Sequence, residues 1–455
     1  MLAKRRKRPS VLHSKCLPVK LLVRLGSLTL LGGLTLGGCR PANVQSDGAP
    51  AFSSDEKALI LSLSPRPMPP ENPANRLADS ASAAHFGRYL FYDTRLSLKG
   101  DQSCASCHHP GLGWSDGKPL AVGLKKTSRN SPTLWNVAYQ RWLFWDGRTD
   151  SLWAQSVQPL ESLNEMGMSR VGLLHSFHKH PELRRGYEAL FGPLPSNAGL
   201  PAQARPVPED PKHPLQQSWN QLSPQQQLSV NRFVSQLGKS LEAFERKIVS
   251  GENPFDRFVA DLRANKPASK ELSVEAQKGL RLFIGRAQCI LCHTGPLLND
   301  REFHNIGLPK HPSLPVDQGR YAGLPKLLAD PFNGLGPFSD LPNREHEWND
   351  KLHYLSRQAS NKGEFKTPGL REITRTGPYM HDGRFKSLEE VLLFYSQLPS
   401  QPPATGRRED TIPPLELKPE ELTYLLAFLK ALEGPQAGPE LSQKPKDPVA
   451  QRSGS

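Results

Sequence analysis

The pattern Cys-x-x-Cys-His occurs twice in the chain, and it has the most direct chemical meaning of any feature in the sequence. Two thiols at this spacing can form thioethers with the vinyl groups of a haem, and the next residue can offer an imidazole to the iron. The residues concerned are Cys104, Cys107 and His108 in the first copy and Cys289, Cys292 and His293 in the second. Zinc ribbons and redox dithiols also use Cys-x-x-Cys, but ribbon knuckles usually lie much closer together, and neither class explains a His after both pairs. The sequence therefore predicts two covalently bound haem c groups, with His108 and His293 as iron ligands.

The other two cysteines, Cys16 and Cys39, lie in an N-terminal segment that is typical of an export signal. A basic stretch precedes an apolar, Gly-rich run that is too short to span a bilayer. The run ends in Leu-Gly-Gly followed by Cys39, which resembles a bacterial lipobox. We expect residues 1–38 to be a lipoprotein-type signal peptide and Cys39 to carry a lipid anchor as the sole membrane attachment. The expected location is the periplasm or the outer cell envelope.

The charge balance argues against a nucleic-acid-binding protein. The whole chain has a formal net charge of +14, but residues 1–38 hold eight basic and no acidic side chains, so the remainder carries only +6. This is a mildly basic surface rather than an electrostatic footprint for nucleic acid. It is compatible with a modest attraction to acidic electron-transfer partners.

An internal repeat indicates two related halves. Residues 131–152 align without a gap with residues 367–388, at a constant offset of 236 positions. A shorter Gly-x-x-Leu-Phe pattern, beginning at Gly87 and at Gly279, also precedes each haem motif. We therefore predict an all-α fold of two tandem cytochrome c-like haem domains with extensive loops. With 37% hydrophobic residues and 44 prolines, much of the chain must be loop packed around apolar cofactors.

The expected organisation follows from composition along the chain. Polar, Pro-containing stretches read as linkers, and Pro- and Gln-rich ones as loops or disordered segments. The predicted segments are the signal peptide at 1–38, a tether at 39–73, a first haem domain at 74–250 with a Pro-rich insertion at 192–227, a second haem domain at 265–433, and a disordered tail at 434–455.

Differences between the two copies predict different tasks for the two haems. The offset of 236 places Pro159 of the first copy opposite Tyr395 of the second. A phenolate can bind ferric iron, whereas proline has no side-chain ligand atom. If both positions face iron, the second haem has His293 and Tyr395 as ligands and the first has His108 alone. An open iron face is what hydrogen peroxide requires.

Three further residues near Pro159 could take part in such chemistry. Glu165 could take a proton from peroxide and return it to the leaving oxygen, and Gln155 could hold the peroxide or a water. From spacing alone, a solvated helix face is the commoner explanation of both. Trp145 stands where the second copy has His381, and its indole could carry an electron between two redox centres or simply pack in the core.

The two haem motifs and the repeat resemble the bacterial di-haem cytochrome c peroxidase family, including its MauG branch. The resemblance covers roughly residues 79–432, apart from the Pro-rich insertion. It implies that Trp145 lies between the haems and that Gln155, Pro159 and Glu165 line the peroxide pocket, with Glu165 as the acid and base.

The same resemblance implies a calcium ion between the haems. It assigns the ion to the side chain of Asn130 and to the backbone carbonyl groups of Thr376 and Pro378. A ligand set made only of oxygen atoms suits Ca²⁺.

Two departures favour the MauG branch. Family members that need reductive activation have a distal His on the first haem and a Met on the second, but no His lies between Pro110 and Leu174, and Tyr395 occupies the place of the Met. We therefore expect the first haem to bind peroxide without prior reduction. The resemblance implies a peroxidase supplied with electrons by a small cytochrome or copper protein. Two alternatives stay open: a MauG-like oxidase that modifies a partner protein, and a plain di-haem electron-transfer cytochrome.

Overall fold

The computed structural model describes residues 48–266 and 269–450, which belong to one compact unit. The predicted signal peptide, Cys16 and Cys39 lie outside the described residues. Helices predominate, and the two strands found pair into one short antiparallel sheet, so the prediction of a helix-rich fold is confirmed. Within the described residues, no helix combines the length and apolar character that a membrane span requires.

The described part of the chain contains fifteen α-helices and two strands, joined by loops and short 3-10 turns. The α-helices are α1 (Ser54–Ser62), α2 (Ala81–Phe91), α3 (Cys104–Cys107), α4 (Leu152–Glu161), α5 (Arg170–Lys179), α6 (Pro181–Phe191), α7 (Pro214–Asn220), α8 (Pro224–Glu245), α9 (Pro254–Arg263), α10 (Val274–Ile284), α11 (Arg320–Ala329), α12 (Asp350–His353), α13 (Leu388–Gln397), α14 (Pro419–Lys430) and α15 (Pro439–Ser442). The strands are β1 (Phe303–His304) and β2 (Phe365–Lys366).

Two hydrophobic cores form around corresponding helices. The first gathers apolar side chains of α2, α4, α5 and α8, and the second gathers those of α9, α10, α13 and α14. In each core, the helix before the haem motif packs on a long later helix: α2 on α8, and α10 on α14. Glycine makes both approaches possible, because a Cβ atom at Gly87 would overlap the carbonyl oxygen of Ser240, and one at Gly279 that of Tyr424. The Gly-x-x-Leu-Phe pattern therefore marks two equivalent helix crossings.

The 236-residue repeat is also visible in the backbone. A 3-10 turn at Val137–Tyr139 corresponds to one at Ile373–Arg375, and α4 corresponds to α13 at both of its ends. Each copy has a left-handed residue before its turn, Asn136 at φ +59° and Glu372 at φ +65°. Because such conformations are uncommon for non-Gly residues, their recurrence at the same offset supports a common structure for the two copies.

The tether predicted for residues 39–73 is wrong in its described part. Residues 54–62 form α1, which is capped by Ser53, and Ile60 and Leu63 are fully buried in the second core. The sequence Ala-Leu-Ile-Leu places apolar side chains where they can be removed from water, and this burial holds the segment on the protein.

The tail predicted to be disordered at 434–455 is wrong for residues 434–450, whereas residues 451–455 lie outside the described part. Lys444 forms an ion pair with the buried Asp93 at 2.8 Å, and Tyr92 donates a hydrogen bond to the carbonyl of Leu441. Leu441 also packs against the first core. Helix α1, from the N-terminal half of the chain, therefore packs on the second core, and the C-terminal segment packs on the first.

The two hydrophobic cores do not coincide with the domains predicted at 74–250 and 265–433, because each core includes side chains from outside the corresponding range. Phe332 and Phe338, from within the second predicted range, are buried in the first core. The second core takes Phe255 and Phe258 from α9, ahead of residue 265. In the Pro-rich insertion at 192–227, α7 buries Trp219 in the first core.

Candidate active site

The first haem motif lies on α3 and the residue that follows it. The His108 ring donates a hydrogen bond from Nδ1 to the backbone carbonyl of Trp114, at 3.0 Å. Trp114 is fully buried with φ +58°, so its carbonyl is held in place by the packing around it. The bond leaves Nε2 as the ring atom available to a metal, and burial lowers the pKa of His108, which keeps the imidazole neutral.

The second motif repeats this arrangement. His293 donates from Nδ1 to the carbonyl of Leu298 at 2.9 Å, and Leu298 has φ +54°. Burial again lowers the pKa of the imidazole. Both histidines are therefore oriented as iron ligands commonly are, with the second nitrogen bonded to a backbone carbonyl.

Both motifs open onto one continuous cavity of about 890 Å³. Their four cysteines form no disulfide among the described residues, and burial raises the pKa of Cys107 to about 11 and that of Cys289 to about 12. Four thiols and two imidazoles with available Nε2 atoms, on one cavity, fit two covalently attached haems.

All fourteen residues that the sequence assigned to the haem, peroxide and calcium sites line this cavity. They are Cys104, Cys107, His108, Asn130, Trp145, Gln155, Pro159, Glu165, Cys289, Cys292, His293, Thr376, Pro378 and Tyr395. They come from positions up to 291 residues apart in the chain. Their catalytic and binding roles stay predictions.

Helix α4 and the turn after it present three of these side chains. Gln155 and Pro159 are one helical turn apart, so both can face the cavity. Glu165 lies in the turn after α4, and its backbone carbonyl accepts a hydrogen bond from the backbone N–H of Leu124 at 2.8 Å. The Glu165 carboxylate lies close enough to Cys107 for its charge to raise the pKa of that thiol. Proline, amide and carboxylate therefore line the haem cavity, and the carboxylate lies near the first motif.

Tyr395 lies on α13, the counterpart of α4, beside the second motif. Desolvation by its surroundings raises its pKa above the ordinary value, and the neighbouring Cys292 and Cys289 add to the effect. A phenol in this environment stays protonated unless a cation binds its oxygen. Ferric iron is such a cation.

Trp145 occupies the junction between the two repeats. Its indole Nε1 donates to the backbone carbonyl of Asn130 at 3.0 Å, and the backbone N–H of Asn130 donates to the carbonyl of His381 at 2.8 Å. The His381 ring stacks on Phe365 with centroids 3.6 Å apart. Trp145 is thus tied through a single residue to its own counterpart in the second repeat.

Of the three predicted calcium ligands, Asn130 lies at this junction. Asn130 is buried and donates its side-chain amide to the carbonyl of Lys118 at 2.8 Å, which orients the amide group. Thr376 uses its hydroxyl internally, as a donor to Ile373. Asn130, Thr376 and Pro378 line the same cavity, and calcium binding stays a prediction.

A second cluster with metal-ligand atoms has another explanation. Cys292, Asp300 and His304 bring ligand atoms within 4.8 Å of one another. His304, however, is bonded to Asp300 and to Glu409, each at 2.6 Å, and its pKa is raised to about 11, chiefly by Asp300. An imidazolium donates from both nitrogens and cannot bind a metal. Cys292 belongs to the haem motif.

Sequence reasoning missed a cation that joins the two repeats. Arg129 forms ion pairs with Asp146 and Asp317, each at 2.7 Å, and lies over the ring of Phe365. Burial favours protonation of Asp146, but Arg148 and Arg129 more than offset it and lower the pKa to about 2. Arg129 directly precedes Asn130, yet no spacing rule identifies partners 188 residues away.

Two cysteine pairs with trailing, carbonyl-bonded histidines on a shared cavity, in a helix-rich fold, define a di-haem protein of the cytochrome c type. The family model for di-haem cytochrome c peroxidase matches residues 81–264. Cytochrome-c peroxidase IdrP1 of Denitromonas iodatirespirans is 32% identical over 88% of this chain and 93% of its own length. Methylamine utilization protein MauG of Methylorubrum extorquens is 30% identical over 94% of this chain and 99% of its own. The crystal structure of a MauG-like protein associated with microbial copper homeostasis superimposes with a TM-score of 0.57 at 23% identity, covering 84% of this chain and 98% of the other.

The chain belongs to the di-haem cytochrome c peroxidase family. It is an enzyme of the peroxidase class, and the family implies two haem c groups.

Proposed function

We propose that the protein reduces hydrogen peroxide at the first haem site, with electrons that enter through the second from a small cytochrome or copper protein. One observation carries the proposal: the equivalent helices α4 and α13 present Pro159 and Tyr395 to the haem cavity, and Tyr395 lies near the cysteines of the second motif. When bound, the haems supply the iron centres and the route for electrons. An open face at the first site and a closed one at the second divide those tasks. We assign each hydrophobic core to one cytochrome c-like haem domain.

The residues of the first site then have distinct tasks. Glu165 is the group that takes a proton from one peroxide oxygen and returns it to the other. Gln155, one turn before Pro159, orients the peroxide with its amide, and Pro159 keeps the space clear of a competing ligand. These side chains line the same cavity as Cys107 and His108, and the Glu165 carboxylate acts on the Cys107 thiol.

Tyr395 and Trp145 serve electron transfer in this proposal. An anionic oxygen ligand stabilises the ferric state of the second site and so lowers its potential relative to a thioether. Trp145, hydrogen-bonded to Asn130 at the repeat junction, is the side chain through which an electron passes from one site to the other. A calcium ion held by Asn130, Thr376 and Pro378 would fix that junction.

We propose an exported protein, anchored by a lipid on Cys39 at the periplasmic or outer cell-envelope side. Covalent haem attachment outside the cytoplasm fits such a location. The partners are hydrogen peroxide and a small redox protein or a protein substrate, without nucleic acid.

The second candidate is a MauG-like oxidase that oxidises side chains of a partner protein. The observation in its favour is a partly exposed indole, Trp348, whose ring lies 3.4 Å from the Lys351 ammonium. The same ammonium lies 5.7 Å from the ring of the buried Trp142, so the two ring centres are within about 9 Å. This separation suits electron hopping towards the surface.

The test compares the oxidised holoprotein with a Tyr395→Met variant by electron paramagnetic resonance and resonance Raman spectroscopy. We expect one high-spin and one low-spin ferric haem in the wild type, and consumption of peroxide without prior reduction. The variant should keep the high-spin signal, change the low-spin one, and need partial reduction before it reacts. Two low-spin haems that ignore peroxide would instead identify an electron-transfer cytochrome. Loss of partner oxidation in Trp348→Phe, with peroxide consumption intact, would favour the second candidate.

A further inference from the structure

Peroxide reduction consumes protons that Glu165 cannot supply alone. The balance is H2O2 + 2e⁻ + 2H⁺ → 2H2O. A carboxylate that takes a proton from one peroxide oxygen and returns it to the other makes no net contribution. Two protons per turnover must therefore reach the first haem site from solvent, through or along the protein. This inference rests on the proposed function.

Glu245, the last residue of α8, is a carboxyl group with no assigned role in the site. It lines the haem cavity, yet its side chain is only 4% exposed. Within the described residues it forms no ion pair, and its side-chain partner is Ser156, at 3.3 and 3.4 Å. Ser156 directly follows Gln155 on α4. The carboxyl group thus contacts the helix that presents the peroxide pocket.

The hydrogen bonds around Ser156 indicate which partner carries the proton. A serine hydroxyl has one hydrogen, and the carbonyl of Leu152, at 2.9 Å, is its closer acceptor. The Ser156 oxygen is then free to accept a hydrogen bond from a protonated Glu245. The geometry therefore suits a carboxylic acid at this position better than a carboxylate.

The surrounding charges act in the same direction. Burial, and after it the negative charge of Glu242, together raise the pKa of Glu245 to about 8, although the hydrogen bond to Ser156 acts in the opposite direction. Cys104 on α3 is close enough to Glu245 for their charges to interact, but it becomes a neutral thioether once haem is attached and then has no charge to contribute. Arg246, the next residue along the chain, is bonded to Asp79 and the carbonyl of Pro70 instead.

A line of buried ionisable groups connects Glu245 with the surface. Lys239, Glu242 and Glu245 are three residues apart on α8, so they share a face at intervals of about 4.5 Å along the axis. Glu242 accepts hydrogen bonds from Asn72 at 2.6 Å and from the Trp153 amide at 3.2 Å. Lys239 pairs at 2.7 Å with Asp340, whose side chain is 22% exposed. The line thus runs from a solvent-accessible carboxylate to the cavity.

We propose that Glu245 is a proton-relay residue, which passes protons from the Lys239–Glu242 face of α8 into the peroxide pocket. Glu245 releases its proton to the oxygen that becomes the second water. The carboxylate left behind is buried beside Glu242 without a cation, so it regains a proton from the α8 face. Glu165 handles the proton exchanged within peroxide, and Glu245 supplies the protons that are consumed.

The test uses the holoenzyme with Glu245→Gln, Glu245→Asp and the control Asp330→Asn. Asp330 is another buried carboxyl bonded to α4, through Gln158 at 3.2 Å, with a pKa raised to about 6 by burial, but it does not line the cavity. Wild-type turnover should fall as the pH rises through about 8, because the acid form is lost. Glu245→Gln should be about tenfold slower or more at neutral pH and should lack this alkaline limb. Asp330→Asn should keep it.

Four results would overturn the relay. One is a Glu245→Gln variant whose turnover still falls as the pH rises through about 8, as in the wild type. Another is an Asp330→Asn variant whose turnover no longer shows this fall. If Glu245→Gln binds haem poorly, Glu245→Asp with full haem content must restore both rate and limb. Failure of both variants to hold haem would make the side chain structural.

A second measurement separates the relay from the proposed function. The reduction potential of the first haem, titrated without peroxide, should change with pH around 8 in the wild type and not in Glu245→Gln. A wild type that ignores peroxide but shows this dependence would refute the peroxidase assignment while leaving the proton coupling of Glu245 intact.

Discussion

Replacing Arg129 by Met tests whether the ion pairs of this guanidinium stabilise the contact between the two repeats. Its guanidinium pairs with the carboxylates of Asp146 and Asp317, whose side chains are 4% and 20% exposed. Removing one partner from a buried ion pair costs about 3–5 kcal/mol, because the remaining charge stays desolvated. Arg148 still contacts Asp146 at 3.1 Å, so we expect the lower end, about 3 kcal/mol.

The assay is urea denaturation of the holoprotein, with Arg141→Met as the matched control. Arg141 pairs with Glu302 at 3.5 Å, and both side chains are about half exposed. Such a surface pair contributes less than about 1 kcal/mol. If the two variants lose the same small amount of unfolding free energy, Arg129 does not act as argued.

The pH dependence provides a second check on the same residue. The pKa of Asp146 is lowered to about 2 in the folded protein, so its contribution to stability is present above its ordinary pKa near 3.9 and is lost as the pH falls through about 2. Without Arg129 that pKa rises, and the loss begins at higher pH. The difference between wild type and variant should therefore narrow as the pH falls towards 2. A difference that stays constant would refute the electrostatic explanation.

Three further outcomes are expected. Gly279→Ala should lower the melting temperature, because the added methyl group forces α10 away from Tyr424 at a cost of about 1–3 kcal/mol or more. The control Gly48→Ala should not, because no atom lies within 4 Å of the methyl group it adds. Equal melting temperatures for the two variants would contradict the helix crossing. Removing residues 439–455 should destabilise the first core, because Lys444 and Leu441 contact it; an unchanged melting temperature would show that the segment does not stabilise it. Trp145→Phe deletes the hydrogen bond to Asn130 and should slow electron transfer between the haems at least about tenfold in stopped-flow reduction; an unchanged rate would exclude the indole as the route.

The sequence was most informative where covalent chemistry and repetition constrain it. Cys-x-x-Cys-His specifies its own spacing, and the 236-residue offset predicted equivalent turns and helices that recur in the backbone. Because Pro159 and Tyr395 are paired by that offset, the sequence alone was enough to predict an asymmetry between the two sites. The two chain ends were misread because polar, Pro-containing composition hides a few apolar side chains, such as Ile60 and Leu441, that are enough to dock a segment.

The residue types and their order along the chain thus determined the cofactor class and the repeated turns and helices, and they predicted a difference between the two haem sites. Tertiary structure alone decided that both motifs share one cavity, that Arg129 joins the repeats, and that Glu245 meets α4 inside the protein. These contacts join residues 89 to 188 positions apart. Burial and the neighbouring charges set their chemistry, and both depend on how the helices pack rather than on the spacing of residues along the chain.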